Sequence, residues 1–387
     1  MNRNNYCVWT GGHSGKAGFR PAIRTEWDGI PTDEVVDIFG EKALSRIRKA
    51  LGDDLVVGIE AHYPMEINPQ NAPAVTAALK KHDMFYGMLT PGLHHLAECG
   101  AFGGPASLDI KEREAARRVS KETVDLAYSA DVKERWDPKA PPTLVFWNGA
   151  WGYDVPHSLL GEMLRHLDDS MAGVAVYEKE KGGQLYIAIE PKPNEGHPKM
   201  IIPTVASGLK LWDRIGKKFG IDVSRCGVNQ EFGHSQMIGL DHAYDVAEQI
   251  ADGKVVHLHA NEQGNDGIRQ GGPGMYDVDH GVALTGPNIA IAKMLKDAGY
   301  DRWVGHDMQA RPHDNEGQAL NRVVQSFVNW EALRKVASEF PTCEMRGYIE
   351  NRDTLALELL IGDTVSTARN YANDMLGKAG IQRYLKE

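Results

Sequence analysis

The sequence predicts an α/β protein, a (β/α)8 TIM barrel with a short helical C-terminal extension. Eight short, mostly apolar segments of strand type alternate with segments of helical periodicity along the 387 residues. A doubly wound open sheet would carry a glycine-rich dinucleotide fingerprint after its first strand. Residues 11–15, which read G-G-H-S-G, do not match that fingerprint. The closed barrel is therefore the preferred prediction.

The eight predicted strands are short runs bounded by glycine, proline or polar residues. Their ranges are 6–10, 55–61, 85–90, 143–149, 185–189, 225–230, 255–260 and 303–308. The fifth, L-Y-I-A-I, is apolar along nearly its whole length and is followed directly by charged residues. Such a run is typical of a parallel strand that is covered on both faces and carries polar groups only at its end.

Each predicted strand is followed by a segment whose apolar residues recur at helical spacing. These helices are predicted at 32–50, 73–81, 109–130, 156–177, 204–219, 240–251, 289–298 and 316–338. Thr32 is a suitable N-cap for the first of them. The remainder is charged, helical and without a further strand. We therefore expect a catalytic barrel over residues 1–338 and a helical tail over 339–387 that contacts another subunit.

Composition argues against several classes of protein. The formal net charge of −10 argues against nucleic acid as a partner, because nucleic-acid binding needs a basic footprint. No apolar run approaches the roughly 20 residues of a membrane span, and the first residues lack the apolar core of a signal peptide. We expect a cytoplasmic protein without a membrane partner. The four cysteines show no C-x-x-C spacing, and Cys7 and Cys226 are interpreted as buried thiols.

The ends of the predicted strands carry many ionisable and polar residues. In a (β/α)8 barrel the C-terminal strand ends converge on one mouth, even when they are distant in sequence. The residues concerned are His62, Glu66, Trp147, Glu190, Lys192, Glu231, His234, His257, His259, Asn261, Asp277, Asp279 and Asp307. We expect most of these side chains to share one cleft.

The carboxylates of Glu190, Glu231, Asp277, Asp279 and Asp307 would repel one another strongly in one partly dry cleft, and divalent cations would relieve that repulsion. His234 and His259 add nitrogen donors, and a mixed oxygen and nitrogen set suits Mg²⁺, Mn²⁺ or Co²⁺. Asp277 and Asp279 can approach one ion from two directions. Glu231 lies three residues before His234 and can bridge two ions. The sequence therefore predicts a site for two divalent cations.

Several motifs resemble those of the xylose isomerase family. They are I-E-P-K-P-N-E at 189–195, Q-E-F-G-H-S-Q-M-I-G-L at 230–240, V-H-L-H-A-N at 256–261, Y-D-V-D at 276–279 and G-H-D-M at 305–308. F-W-N-G at 146–149 and C-V-W-T at 7–10 resemble the tryptophan segments of that family's active site. The similarity extends in order over about residues 6–330.

This resemblance implies a two-metal aldose–ketose isomerase that acts on a small sugar. One cation would be held by Glu190, Glu231, His259 and Asp307, and the other by Glu231, His234, Asp277 and Asp279. The remaining site residues take catalytic or substrate-binding roles. Lys192 would polarise the sugar carbonyl, His62 with its partner Glu66 would open the ring, Asp279 would assist proton transfer, and Trp9, Trp147, Thr90 and Asn261 would contact substrate.

Two segments depart from the xylose-type pattern. Xylose isomerases have aspartate where this chain has His259, and an imidazole there resembles the rhamnose isomerase branch. A-H-Y-P-M-E at 61–66 is likewise closer to that branch. The tail is shorter than the arm with which xylose isomerases wrap a neighbour. We expect a homodimer or a homotetramer.

The chemistry also fits the residues without the family. A hydrogen that moves from C2 to C1 of an open-chain sugar leaves negative charge on two oxygens, which two cations and Lys192 would stabilise. Three alternatives stay open: a ketose epimerase with Glu190 and Glu231 as opposed acid and base, a metal-dependent endonuclease of the same superfamily, and a barrel that binds sugar without turnover. The sugar itself and the roles of His94, His95, Arg311 and His313 also stay open.

Overall fold

In the computed structural model, eight parallel strands close into a barrel in chain order, and the last strand pairs with the first. The strands are Asn5–Trp9 (β1), Val56–Tyr63 (β2), Met84–Pro91 (β3), Thr143–Trp147 (β4), Tyr186–Glu190 (β5), Cys226–Glu231 (β6), Val255–His259 (β7) and Val304–His306 (β8). The structure describes residues 5–9, 30–100, 102–147, 157–193, 200–263, 281–308 and 314–381. The predicted (β/α)8 fold is confirmed.

Helices connect the strands and surround the barrel. They are Thr32–Phe39 (α1), Ser45–Leu51 (α2), Ala72–Lys81 (α3), Ala97–Gly100 (α4), Ile110–Ala127 (α5), Ala130–Glu134 (α6), Leu160–Lys181 (α7), Val205–Phe219 (α8), Phe232–Met237 (α9), His242–Ala251 (α10), Gly286–Asp297 (α11), Glu316–Ser338 (α12), Thr342–Glu350 (α13) and Thr354–Lys378 (α14). The last two form the C-terminal extension.

Successive strand residues point alternately toward the helices and into the barrel, which gives two apolar layers. On β5, Ile187 and Ile189 belong to the large core between strands and helices. Ala188 between them belongs to a separate small cluster inside the barrel. That inner cluster consists of Met88, Val145, Ala188 and Val256. The fifth strand is therefore buried on both faces, as its apolar sequence predicts.

The predicted helix at 32–50 contains a π-helical turn, Gly40–Leu44, between α1 and α2. A Cβ atom on Gly40 would lie 2.3 Å from Cγ of His82, the residue after α3. The His82 Nε2 atom in turn lies 2.7 Å from Asp37 Oδ1. Glycine at position 40 therefore lets α3 end directly against α1.

The pairing of β6 with β7 shifts by one residue near the middle of the strands. Val228 pairs with Val255, but the next residue, Asn229, pairs with His257. The strand thereby skips Val256, which is how a β-bulge changes the direction of the residues that follow it. Both His257 and His259 then contact the interior carboxylate of β2, described below.

The C-terminal extension packs against the barrel through one part of α14. Ala368 and Ala372 are buried there, and Val365, Tyr371 and Met375 pack on the core beside them. Within the described ranges, no helix is both long and apolar enough to cross a bilayer. Each of the four cysteines is a free thiol.

Candidate metal centre and sugar pocket

The carboxyl ends of four neighbouring strands bring the predicted ligands together. Trp147 at the end of β4 pairs with Glu190 at the end of β5, and Glu231 at the end of β6 pairs with His259 at the end of β7. Asp307 follows β8 directly. Because these strands are parallel, their last residues lie at the same edge of the barrel.

His259 lies at the centre of three of these carboxylates. Its Nδ1 atom is 3.3 Å from Glu231 Oε2, 3.6 Å from Glu190 Oε2 and 3.6 Å from Asp307 Oδ2. Glu231 and His259 are each only 2 % exposed, whereas the side chains of Glu190 and Asp307 reach the surface of the cleft. We call these four residues the central cluster.

A second group of possible ligands shares Glu231 and Glu190 with the central cluster. His234 lies on the short helix α9, one turn after Glu231, and its Nε2 atom is 3.0 Å from Glu231 Oε1. Its Nδ1 atom lies 3.0 Å from the carbonyl oxygen of Pro191 and 4.0 Å from Glu190 Oε1. The ligand atoms of Glu190, Glu231 and His234 all lie within 4.8 Å of one another.

Crowding of carboxylates changes the pKa values in the central cluster. Burial, followed by the charge of Glu231, raises the pKa of Asp307 to about 8. Burial also raises the pKa of Glu190, against the opposing charges of His259, His234 and Lys192. Burial alone would lower the pKa of His259, but the carboxylates around it raise that pKa well above its ordinary value. The cluster therefore favours a positive charge at its centre.

The donors of the central cluster fit a hard or borderline divalent cation. The ligand atoms of Glu231, His259 and Asp307 lie within 4.8 Å of one another, and two of the three are carboxylate oxygens. Asp307 Oδ1 is buried and has no hydrogen-bond partner in the part of the chain that the structure describes. A cation would supply the missing interaction. Asp277 and Asp279, the other predicted ligands, lie outside the described residues.

His62 and its neighbours form the opposite wall of the mouth. His62 Nδ1 is 3.3 Å from Glu66 Oε2, and the same oxygen accepts a hydrogen bond from the His62 backbone N–H at 2.9 Å. The ring of His62 packs edge-on against those of His94 and His95, at 5.6 and 5.8 Å. The ring nitrogens of these three histidines lie close enough together to hold an ion as well.

Trp147 and Lys192 extend this wall toward the central cluster. The Trp147 ring lies 5.1 Å from that of His94, and its indole nitrogen is buried. Lys192 follows β5 and is only 6 % exposed, with its backbone N–H bonded to the carbonyl oxygen of Ile202 at 3.1 Å. Its positive charge lies near Glu190, since it opposes the rise in the pKa of that carboxyl.

A family model described as "Xylose isomerase-like TIM barrel" matches residues 50–330. The chain belongs to this family. This match therefore agrees with the resemblance of the motifs and with the fold of the structure.

Solved structures of this xylose isomerase-like barrel give the same fold at low identity. A structure titled L-ribulose 3-epimerase is 14% identical, with a TM-score of 0.55, and the alignment covers 88% of this chain and 98% of that one. A xylose isomerase domain protein from Alicyclobacillus acidocaldarius subsp. acidocaldarius is 15% identical, with a TM-score of 0.52 and coverages of 86% and 99%. A D-tagatose 3-epimerase-like protein is 14% identical, with a TM-score of 0.51 and coverages of 72% and 90%.

Two predicted substrate contacts of this xylose isomerase-like chain bond to the protein itself. The hydroxyl of Thr90 donates to the carbonyl oxygen of Val145 at 2.7 Å and ties β3 to β4. Asn261 is fully buried, and its Nδ2 donates to Glu231 Oε1 at 2.9 Å and to the Asp307 carbonyl oxygen at 3.0 Å. Its Oδ1 accepts from the backbone N–H of Gly233 at 2.9 Å. Asn261 thus links three segments of the candidate metal centre.

Some other predicted site residues lie outside the part of the chain that the structure describes. The side chain of Trp9, and Arg311 and His313 entirely, lie outside the described residues. The structure instead shows two polar residues that the sequence analysis did not select. Asn229 Nδ2 donates to Glu190 Oε2 at 2.7 Å, and Glu60 is fully buried beside His259. The signal available for Glu60 was a carboxylate inside an otherwise apolar strand.

Proposed function

We propose that this protein is a divalent-metal-dependent aldose–ketose isomerase of an open-chain sugar. The observation that carries the proposal is a pair of ligand groups, one around His259 and one around His234, that share Glu231. Lys192, buried beside Glu190, adds a cationic donor next to them. Membership of the xylose isomerase-like family, together with a structural neighbour named L-ribulose 3-epimerase, supports a small sugar as substrate.

Two cations, Mg²⁺, Mn²⁺ or Co²⁺, would be bound at these groups. Glu190, Glu231, His259 and Asp307 would hold the first. Glu231, His234, Asp277 and Asp279 would hold the second. When bound, the cations would stabilise the negative charge that develops on the sugar oxygens during the reaction.

His62 is suited to open the sugar ring. Glu66 Oε2 lies 3.3 Å from Nδ1, and we assign proton exchange with the substrate to the other ring nitrogen, Nε2. Nε2 would take the proton of the anomeric hydroxyl as the ring oxygen is protonated and the ring bond breaks. The edge-on packing of His94 and His95 limits rotation of the His62 ring.

Lys192 would act in the isomerisation step. The C2–H bond breaks and its electron pair forms a C1–H bond, while the proton on O2 leaves and a proton arrives at O1. An ammonium donor at the carbonyl oxygen lowers the cost of this charge transfer, and we assign that role to Lys192. Asp279 is proposed to assist the proton transfer, and Trp147 and Trp9 to wall the sugar. Asn261 and Thr90 would support the site through their hydrogen bonds to Glu231 and Val145.

A ketose epimerase is the second candidate function. Two structural neighbours are titled as epimerases or epimerase-like proteins, on the same barrel. An epimerase would remove and return a proton at the carbon beside the carbonyl, with Glu190 and Glu231 as acid and base. In D₂O it would therefore introduce deuterium at that carbon at every turnover, whereas hydride transfer leaves most product unlabelled.

The test is a screen of pentoses, hexoses and deoxy-sugars with protein reconstituted with Mn²⁺, run in D₂O. We expect aldose–ketose interconversion of at least one sugar with little carbon-bound deuterium. Glu231→Gln should abolish the activity, because it removes the shared ligand. Glu178→Gln is the matched control, since Glu178 is a buried carboxylate before β5 that bonds Tyr128 and the Leu185 backbone. Full labelling would favour the epimerase, and no conversion of any sugar would count against both.

A further inference from the structure

A carboxylate lies directly behind the imidazole of the central cluster. Glu60 on β2 is fully buried, and its Oε2 atom lies 3.2 Å from His259 Nε2. The opposite ring nitrogen, Nδ1, faces Glu231 at 3.3 Å and Glu190 and Asp307 at 3.6 Å. His259 thus lies between Glu60 on one side and the proposed ligands on the other.

We propose that Glu60 is a positioning residue for the proposed cation, acting through His259. An ionised carboxylate only accepts hydrogen bonds, so Glu60 requires a proton on His259 Nε2. The lone pair of the neutral ring then lies on Nδ1, which faces the carboxylates of the centre. Metal-ligating histidines commonly donate their second ring N–H to a carboxylate in this way. An aspartate at position 259 would need no such partner, because both of its oxygens carry lone pairs.

The surroundings of Glu60 fix the direction of its two oxygens. Oε1 is 2.8 Å from the Cys7 thiol sulfur, which donates to it, and 3.1 Å from His257 Nε2. These two contacts turn Oε2 toward His259. Glu60 thus presents Oε2 to the His259 ring and Oε1 to Cys7 and His257.

Gly305 on β8 provides the space that Glu60 occupies. A Cβ atom at this position would lie 2.1 Å from Glu60 Oε1 and 2.7 Å from His259 Cδ2. Any larger residue would therefore move the carboxylate or the imidazole. The bulge in β7 also contributes, because it brings both His257 and His259 into contact with Glu60. Residues of four strands, β1, β2, β7 and β8, therefore surround the contact between Glu60 and His259.

The test compares Mn²⁺ binding by wild type, Glu60→Gln and Glu178→Gln, with free Mn²⁺ measured by electron paramagnetic resonance. Glutamine keeps the size of Glu60 but brings an N–H₂ donor to a place where three donors converge. We expect the Kd of Glu60→Gln to rise by about 10- to 100-fold, as for other residues that orient metal ligands. The Kd of Glu178→Gln should stay at the wild-type value.

Nitrogen-15 NMR of histidine-labelled wild type gives a second readout, which does not depend on how Glu60→Gln folds. In wild type loaded with Mg²⁺, His259 should carry its proton on Nε2, and its Nδ1 resonance should shift when the cation is added. Resonances of His259 are assigned with His259→Asn. A proton on Nδ1 in the loaded protein overturns the proposal. So does an unchanged Kd in Glu60→Gln, or an equal loss in both glutamine variants.

The proposal rests on the cation site of the proposed function, and the two can fail separately. If wild type binds no Mn²⁺, the proposed metal site itself is wrong, and the role of Glu60 falls with it. If wild type binds Mn²⁺ and Glu60→Gln binds it equally well, only the positioning role is wrong. Gly305→Ala should also weaken binding, because the added methyl group displaces Glu60, His259 or both.

Discussion

Glu66 is a carboxylate partner of the His62 imidazole. Glu66 Oε2 contacts both the backbone N–H and the Nδ1 atom of His62. Burial by itself would lower the pKa of His62, but the charge and hydrogen bond of Glu66, and the more distant charges of Asp307 and Glu190, raise it above its ordinary value. The pKa of His62 is therefore higher than that of an ordinary histidine, and Glu66 is the main reason.

Replacement of Glu66 by Gln should lower the pKa of His62. The variant removes the negative charge that favours the imidazolium, while burial continues to oppose it. If neutral His62 opens the ring, the acidic limb of the kcat/KM profile at saturating Mn²⁺ should move to lower pH with it. The pKa is measured directly by NMR titration of the ring protons. His166, which lies near Glu162 on α7, is the internal control and should titrate unchanged. A His62 pKa that is the same in both proteins would contradict this role of Glu66.

The grouping of several proposed ligands could be predicted from the motifs at the strand ends, but the residues that contact them could not. Glu190, Glu231, His234 and His259 come together as the strand ends predict. Glu60 could not be predicted as a site residue, because its role depends on contacts with residues about 200 positions away in sequence. Predictions of that kind need the register of β2, β7 and β8, which spacing does not provide.

At the element scale, the strands of the barrel depend on glycines where neighbouring backbones approach. Gly227 on β6 is one of these, since a Cβ atom there would lie 2.2 Å from the carbonyl oxygen of Lys254 at the start of β7. Its own carbonyl oxygen accepts a hydrogen bond from the indole of the buried Trp212 on α8. The entry of β6, which carries Glu231 at its other end, is thus fixed from two sides.

Alanine should have opposite effects at two glycines. Gly227→Ala should destabilise the fold by about 1–3 kcal/mol or more, because a backbone atom blocks the added methyl group. Gly173→Ala on α7 should stabilise it by about 0.5–1 kcal/mol, because position 173 is an exposed helical site with nothing within 4 Å. Urea unfolding monitored by circular dichroism measures both. Equal effects of the two substitutions would contradict this account of β6.

Strands and long helices could be predicted from periodicity, while short or irregular elements could not. The helix α9 has six residues and lacks a periodic apolar face, yet it carries His234. The β7 bulge has no sequence signal and decides that His257 and His259 both meet Glu60. The π turn after α1 begins at Gly40, which packs against His82, a residue far away in the sequence.

At the scale of the whole molecule, the C-terminal extension has one packed and one exposed part. Ala368 and Ala372 in the second half of α14 are buried, whereas Leu355 and Leu359 in its first half are 65% and 62% exposed. These leucines are four residues apart and share one face of the helix. We propose that a second copy of this chain covers that face, in a homodimer or homotetramer.

Charged residues on this face should dissociate the assembly. The double variant Leu355→Glu and Leu359→Glu should be a monomer in size-exclusion chromatography with light scattering, where wild type is expected to be a multiple of 42.7 kDa. Val176→Glu on α7 is the control, because this exposed apolar residue lies outside the extension. A wild-type monomer, or a double variant that keeps the wild-type mass, would show that the extension serves another purpose.

The barrel brings residues from positions 60 to 307 together, and we propose that its mouth is active only with divalent cations bound. The most direct measurement follows aldose–ketose conversion by wild type that has been stripped with EDTA and then titrated with Mn²⁺. We predict no activity in the stripped protein and a rise that saturates at about two equivalents, since two ligand groups share Glu231. Full activity after exhaustive EDTA treatment would contradict the account.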